Sequence, residues 1–272
     1  MNPLIQLKKA TPVFFVALAC LALFPRALAV VPAPDGGYAG GNTAEGQNAL
    51  LSLTTGTYNT ALGLFSLESL TDGSFNTGVG AGTLLVNTAD QNTATGVGAL
   101  LSNTTGEANT VDGAFALFSN TEGSSNTANG DQALFSNTNG GFNTATGRRA
   151  LQANTIGINN TAIGDRALLG NTTGNSNIAL GIFAGGSLTT GNSNIDIGNS
   201  GVAGESATIR LGGPQIKTFI AGIREVTTGV ADAIPVLIDS AGQLGTTSSS
   251  VRLKRTSNRW TKPAKRFWRL NQ

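Results

Sequence analysis

The amino-acid sequence predicts an all-β protein whose main part is a β-solenoid (a β-roll) of about ten coils. A unit with the pattern N-T-A-x-G-x-x-A-L-x-x-N-T-T-G-x-x, seventeen residues long, recurs between residues 42 and 198. One column of glycine and one column of leucine return in successive copies. A fixed period in this range is typical of solenoids, in which each repeat forms one coil that stacks on the next.

We count positions in each copy from its first asparagine, which is position zero. This asparagine recurs at Asn42, Asn59, Asn76, Asn92, Asn109, Asn126, Asn143, Asn160, Asn177 and Asn194. Only the step from Asn76 to Asn92 is shorter, by one residue. The stretches between predicted corners hold three or four residues, which is too short for a helix and suits short strands.

Position eight is the predicted core of the solenoid, because no other column is so uniformly large and apolar. It contains Leu50, Leu67, Leu84, Leu100, Leu117, Leu134, Leu151 and Leu168. Alanine dominates positions two and seven, where small residues would let opposite walls of a coil approach closely. Position three varies from Glu45 to Ile163, so we expect it mostly to face solvent.

Position four is glycine in all ten copies, which suits a corner with positive φ. These predicted corner glycines are Gly46, Gly63, Gly80, Gly96, Gly113, Gly130, Gly147, Gly164, Gly181 and Gly198. Position fourteen is a second glycine corner, and counting along the shortened copy puts Asp90 in its place.

Asparagine at positions zero and eleven predicts stacked amide ladders at identical corners. Leu53, Leu70 and Leu188 replace asparagine at position eleven, so that column is predicted to be interior. Because stacking accounts for the recurring residues, we expect ligand contact at the variable positions three, five and six. At these positions two consecutive copies carry the charged residues Arg148, Arg149, Asp165 and Arg166.

The first 29 residues predict a cleaved secretory signal peptide. Lys8 and Lys9 precede an apolar run over 12–24, and Ala27 to Ala29 place small residues before a cleavage site at Val30. A lipoprotein site at Cys20 is the weaker alternative, since apolar sequence continues past it. We therefore expect a secreted or cell-surface protein with no integral membrane segment in the mature chain.

Three further segments complete the predicted organisation. Residues 30–41 are rich in proline and glycine and are expected to form a flexible leader. Residues 199–247 predict a small β-rich stalk or trimerisation segment, with strands at Ala207–Leu211, Lys217–Ile223 and Pro235–Ile238. Residues 248–272 form a basic tail without apolar periodicity.

Composition argues against most catalytic chemistry. The chain has no histidine, and its single cysteine, Cys20, lies in the signal peptide. The commonest general base and the thiol nucleophile are therefore missing, and we expect no enzyme activity, no cofactor and no metal site. Between residues 30 and 250 there are six basic and fifteen acidic residues, a net charge of −9. An acidic body of this kind is not expected to bind nucleic acid.

A family resemblance covers nearly all of 42–254 and is most specific over 191–247. The N-T-A-x-G repeats are followed by G-N-S-N-I-D-I-G-N-S-G-V-A-G-E-S-A-T-I-R-L-G, T-F-I-A-G-I and V-L-I-D-S-A-G-Q-L-G-T. The chain thus resembles bacterial secreted proteins with tail-fibre-like repeats that end in an endosialidase-type intramolecular chaperone domain (peptidase S74). Its repeats are also similar to the YadA-like heads of trimeric autotransporter adhesins. The resemblance implies a surface-exposed homotrimer.

The same resemblance implies self-cleavage by a serine assisted by a lysine. Ser249 and Lys254 match those positions, but Ser250 stands where the family has aspartate. With suitable codons, residues 255–272 encode NVKPMDKASEAILALKP in a frame shifted by two bases, which is similar to the start of that chaperone domain. We therefore expect that a frameshift removed the domain and that the Ser249–Lys254 junction is vestigial. A plain disordered extension and a tail that binds anionic polymers are the alternatives.

Three functions follow as expectations. The first is a structural or adhesive surface protein that displays a repetitive face to a glycan or a surface protein. It is expected to form a homotrimer through apolar faces that include Phe65, Phe115, Phe118 and Phe135. The second is a self-processing fibre protein with the vestigial junction. The third is an ice- or crystal-binding solenoid, because threonine recurs at positions one and twelve, although the threonines beside the asparagine ladder could simply face inward.

Overall fold

In the computed structural model, which describes residues 38–220, 235–238, 240 and 242–246, the repeats form a parallel β-solenoid without any helix in those ranges. Eleven three-residue strands lie in one sheet, in chain order. They are β1 (Thr43–Glu45), β2 (Thr60–Leu62), β3 (Thr77–Val79), β4 (Thr93–Thr95), β5 (Thr110–Asp112), β6 (Thr127–Asn129), β7 (Thr144–Thr146), β8 (Thr161–Ile163), β9 (Ile178–Leu180), β10 (Ile195–Ile197) and β11 (Ile209–Leu211). The predicted fold class, with about ten coils of seventeen residues, is confirmed.

The register of the sheet follows the repeat. Every strand from β1 to β10 occupies positions one to three of its copy, so equivalent residues pair in parallel, as Thr43 does with Thr60 and Ala128 with Ala145. The shortened copy does not disturb this register, because Thr77 still pairs with Thr93. Each coil therefore passes its backbone hydrogen bonds to the next, and β1 forms an open edge of the sheet.

The core is a narrow stack of leucine and alanine. The structure places all eight position-eight leucines inside, seven of them with no exposed surface and Leu50 with 8% at the N-terminal end. The middle residue of each strand from β2 to β10 points inward and is buried. Ser66 and Gly78 show how tight the stack is: a Cβ on Gly78 would lie 2.6 Å from the Ser66 hydroxyl.

The two glycine columns exist for different physical reasons. At position four, φ lies between +120° and +147° from Gly46 to Gly181, a backbone region that side chains disfavour. A Cβ there would also lie 2.4–2.7 Å from the carbonyl oxygen of the next corner in the copies from Gly46 to Gly164. At position fourteen φ is not positive, and close packing alone favours glycine. A Cβ on Gly106, for example, would lie 2.4 Å from the Gly123 carbonyl oxygen.

The shortened copy corrects one prediction. Asp90 does not take the place of the second corner glycine; Ala89 does, because its carbonyl accepts the Asn76 side chain and faces Gly73 as the glycine carbonyls do in other coils. The deleted residue therefore precedes Ala89. Asp90 lies one position further on, where its carboxylate accepts the backbone N–H of Ser74.

The leucine column has a backbone conformation that the sequence does not reveal. All eight core leucines have φ between +51° and +53°, in the left-handed region. Non-glycine residues at positions six and sixteen share it, among them Gln132 and Phe142. This conformation costs about 1 kcal/mol or more per residue, so burial and the coil-to-coil hydrogen bonds must offset it.

Beyond the repeats, the predicted strand at 207–211 contributes Ile209–Leu211 to the solenoid sheet, in register with β10. A second compact unit, 216–272, contains an antiparallel pair of β12 (Val236–Ile238) and β13 (Leu244–Thr246). Residues 217–220 are not a strand, and 221–223 of that prediction lie outside the described residues. The signal peptide, most of the leader and the basic tail lie outside them too.

We expect Gly147→Ala to destabilise the solenoid by more than about 4 kcal/mol. Its φ is +131°, and the new Cβ would lie 2.4 Å from the Gly164 carbonyl oxygen. Gly82→Ala is the matched control, because φ is +65° and the nearest atom to the new Cβ is 3.6 Å away. It should cost about 1 kcal/mol. Urea unfolding measures both, and equal losses would contradict this account of the corners.

Candidate functional site

One column of asparagines closes every coil. At position zero, each side-chain Nδ2 from Asn42 to Asn177 donates to the carbonyl near position fourteen of its own coil over 2.8–2.9 Å, as Asn126 does to Gly140. Each Oδ1 of these nine accepts the backbone N–H of the next asparagine over 2.8–3.0 Å, as Asn109 accepts from Asn126. The last, Asn194, donates to the Glu205 carbonyl and accepts from Thr208. These ten asparagines are buried. The ladder therefore joins coils to one another and also shuts each coil on itself.

A second ladder runs through position eleven. Its six asparagines are Asn87, Asn103, Asn120, Asn137, Asn154 and Asn171. Each Nδ2 after the first donates to the preceding Oδ1 over 2.6–2.9 Å. All six are buried, and the replacing residues Leu70 and Leu188 are buried too, so this column is interior. Both ladders are structural, and neither presents amides to a ligand.

The two threonine columns point to different places. At position twelve, the hydroxyls from Thr54 to Thr172 donate to the threonine carbonyl of the following coil, except that of Thr71, which donates to the Asp72 carboxylate. At position one, the threonines lie on the outer surface of the sheet, half-buried or exposed. They are Thr43, Thr60, Thr77, Thr93, Thr110, Thr127, Thr144 and Thr161. The alternative that these threonines face inward is wrong, because the buried side of each strand is its middle residue.

The outer surface of the sheet changes character toward its C-terminal end. There threonine gives way to isoleucine and leucine, and we call this surface the apolar end of the sheet. It consists of Ile163, Ile178, Leu180, Ile197, Ile209 and Leu211, each between 41% and 66% exposed. Contiguous apolar surface of this kind is typical of an interaction site.

The four charged residues singled out at positions five and six lie on consecutive coils. Arg148 donates from Nε to Asp165 over 2.9 Å, and this hydrogen bond holds the pKa of the Asp165 carboxyl below its usual range. Arg166 packs its guanidinium over the Phe183 ring at 5.0 Å. Arg149 lies beside them, and its buried Nε has no hydrogen-bond partner among the described residues. Within that part of the chain, Arg149 and Arg166 thus carry two cationic groups on neighbouring coils that form no ion pair with a carboxylate.

Aromatic side chains form short stacks along the solenoid. Phe118 and Phe135 stack at 5.2 Å, and Phe115 meets Phe118 edge to face at 5.9 Å. Phe118 and Phe135 are only partly exposed, and Phe65 is too. The rings of Phe115, Phe118 and Phe135 thus pack against one another within one chain.

A buried carboxylate marks the C-terminal end of the core. Asp196 occupies position two of the tenth coil, where the earlier coils have alanine, glycine or valine. It has no exposed surface, and neither carboxylate oxygen has a hydrogen-bond partner. Burial raises the pKa of this carboxyl to about 6; the negative charge of Glu205 adds to the shift and the positive charge of Arg210 opposes it.

Sequence reasoning missed this residue. The signal was available, because Asp196 replaces the small apolar residue of position two in the same region where Gly185 replaces the leucine of position eight. A Cβ on Gly185 would lie 3.4 Å from the Asp196 Oδ2, so a leucine there would compete with the carboxylate for space.

The remaining predictions on chemistry concern other parts of the chain. Ser249 and Lys254, the vestigial cleavage pair, lie outside the described residues. Within the described ranges, acidic residues do not gather into a group of three or more that could hold a metal ion. A search of those same ranges finds no helix with the length and apolarity needed to cross a membrane.

We expect Asn120→Leu to destabilise the solenoid by roughly 2–6 kcal/mol. The leucine side chain fits this column, but the change removes the donor to Gly123 and Asn103 and the acceptor for Asn137, and it leaves buried polar groups unpaired. Chemical denaturation is the measurement. Asn139→Ala, an exposed change in the same region, should cost less than about 0.5 kcal/mol. Equal stability of the two variants would show that the ladder contributes nothing.

Comparison of the chain with protein-family models, with curated proteins and with solved structures finds no match. What is established is therefore the architecture: a structural repeat fold, a parallel β-solenoid held by asparagine ladders.

Proposed function

We propose that this chain is an exported, non-enzymatic structural or adhesive protein that displays the outer columns of its solenoid to a glycan or to another surface protein. Hydrogen bonding within the stack uses the recurring asparagines, so they are not free to bind. What remains for recognition is the variable outer surface. The signal-like N-terminus supports export, and the resemblance to tail-fibre-like repeat proteins and adhesin heads supports a place at the cell surface.

The observation that carries this proposal is the charged group Arg148, Arg149, Asp165 and Arg166. Asp165 forms an ion pair with Arg148. Arg149 and Arg166 are therefore available to bind an anionic group, such as a carboxylate or sulfate on a glycan. Arginine suits this task, because its planar guanidinium binds carboxylate and phosphate-like groups in a bidentate manner.

A glycan array probed with the purified mature protein tests the proposal. We expect acidic glycans among the bound ligands, and the double change Arg149→Ala with Arg166→Ala should weaken binding at least about tenfold. Gln47→Ala is the matched control, since it changes an exposed side chain at position five of the first coil. The absence of any bound glycan, or equal binding by the arginine variant, would contradict this assignment.

We further propose that the protein forms a homotrimer through the apolar end of the sheet. The isoleucines and leucines there, which are about half exposed, would be covered by equivalent residues of other copies, and burial of the exposed part is favourable by about 1 kcal/mol each. The family resemblance also implies a homotrimer.

Sedimentation of the mature chain tests the assembly. We expect a trimer for the wild type and a monomer for the double change Leu180→Lys with Ile197→Lys, because the charged side chains would be buried at the interface. Thr95→Lys, on the same surface of the sheet but in the fourth coil, should leave the trimer intact. A wild-type monomer would refute the assembly without affecting the glycan proposal.

The outward threonine column favours a second candidate, binding to ice or to another crystal surface. Eight threonines repeat on a regular parallel sheet at the spacing of paired strands, about 4.8 Å. Thermal hysteresis in solutions of the protein would support this candidate, and its absence would remove it.

A further inference from the structure

The C-terminal end of the solenoid core contains one basic and two acidic side chains that pack against one another. Asp196 lies on β10, and its Cα partner in the sheet register is Arg210 on β11. Arg210 turns away from Asp196: its Nε and Nη2 donate to the Glu205 carboxylate over 2.7–3.0 Å. The charges of Glu205 and Asp196 both act on Arg210, but its guanidinium donates to Glu205 and not to Asp196.

Glu205 fastens the loop that covers the end of the core. Its carboxylate accepts the backbone N–H of Val202 over 2.8 Å, and its backbone carbonyl accepts Asn194, the last rung of the first ladder, over 2.9 Å. The backbone of Gly201 lies over Asp196, since a Cβ there would be 2.7 Å from the Asp196 Oδ2. The start of the loop is fixed separately, because the carbonyls of Asn199 and Ser200 accept the backbone N–H groups of Gly185 and Ser187. The pair of Glu205 and Arg210 thus holds the remainder, 201–205, closed above the buried carboxylate.

No other charge bears on Asp196 in this part of the structure. Leu168 and Leu188 pack from the preceding coils, and Gly185 and Gly201 approach the carboxylate with backbone alone. Among the described residues, Glu205 and Arg210 are the two charged groups that act on it. An ionised carboxylate buried without a partner is costly, and Arg210 is the cation that can relieve this cost.

We propose that Asp196, Glu205 and Arg210 form a proton-operated latch on the last coil. With Asp196 protonated, Arg210 binds Glu205 and the loop over 201–205 is closed, as in the structure. When Asp196 loses its proton, Arg210 moves to the new carboxylate, Glu205 loses its partner, and the loop is released. In this exchange the O–H bond of the Asp196 carboxyl breaks and its proton passes to water; no other covalent bond of the protein is made or broken.

The direction of the pH effect follows from the two carboxyl groups. The pKa of Glu205 lies below its usual range because Arg210 donates to it. The pKa of Asp196 is raised from 3.8 to about 6. A raised pKa in the folded state means that the closed coil loses stability as pH rises from about 4 to about 6. The latch is therefore closed in mild acid and open at neutral pH.

Nuclear magnetic resonance of the whole mature protein between pH 4.5 and 8 tests the latch. We expect the Arg210 Nε–H signal to shift with a midpoint near pH 6. We also expect exchange of the Val202 amide, corrected for its intrinsic pH dependence, to rise at least about tenfold across that midpoint. The Arg148 Nε–H, paired with Asp165, is the internal control and should not respond.

Two variants separate the latch from simple electrostatics. Asp196→Asn should abolish both responses and keep Arg210 on Glu205 at every pH. Should that variant fail to fold, Asp196→Ala serves instead, because alanine is the usual residue of this column. Glu205→Gln should lower the midpoint, since it removes a negative charge and frees Arg210. The latch is refuted if Asp196 titrates while Arg210 and Val202 stay unchanged, or if Asp196 does not titrate in this range.

Discussion

The solenoid depends on what one asparagine side chain does at each turn. Its Nδ2 donates to a carbonyl fourteen residues later and so closes the coil, while its Oδ1 accepts from the next coil and fixes the stacking. A hydrogen bond of this kind contributes only about 1 kcal/mol net, but an unpaired buried amide costs more. The ladder therefore fixes the register in which the coils stack, because any coil out of register would leave several buried polar groups without partners.

This constraint explains the rest of the stack. A coil that closes in seventeen residues needs sharp corners. Position four forms one with glycine at φ near +130°, and position eight forms another with leucine in the left-handed region. The narrow interior then admits leucine on one side and alanine on the other. Because most inner positions are fixed by these demands, most of the variation lies on the outer columns. The proposed recognition of a glycan would therefore use outer residues such as Arg149 and Arg166.

Much of the fold could be predicted from the sequence because the ten copies place the same residue types at the same positions. The leucine column, the glycine corner and the ladders at Asn59 or Asn120 all follow from uniformity at one position. The exact place of a deletion within one copy could not be predicted in this way. The spacing from Asn76 to Asn92 shows that one residue is missing but not where, so Asp90 was assigned the corner that Ala89 occupies.

The direction of the threonine columns also escaped prediction, because a seventeen-residue period does not say which side of a three-residue strand is buried. The candidate site was predicted less well than the fold. Its arginines were found as exceptions on variable positions, and their contacts with Asp165 and Phe183 depend on coil stacking. Asp196 was not predicted because a residue that replaces the usual one in a single copy does not appear in a pattern of recurring residues. Among the described residues, its two buried carboxylate oxygens without hydrogen-bond partners are the strongest anomaly of the core.

The central claim is that the position-zero asparagines close and join the coils. Hydrogen exchange of their side-chain amide protons, followed by nuclear magnetic resonance, tests it most directly. The claim predicts that these Nδ2 protons exchange as slowly as the backbone amides of the leucine column, in every coil from Asn59 to Asn177. Exchange as fast as that of the exposed Asn139 side chain would contradict it.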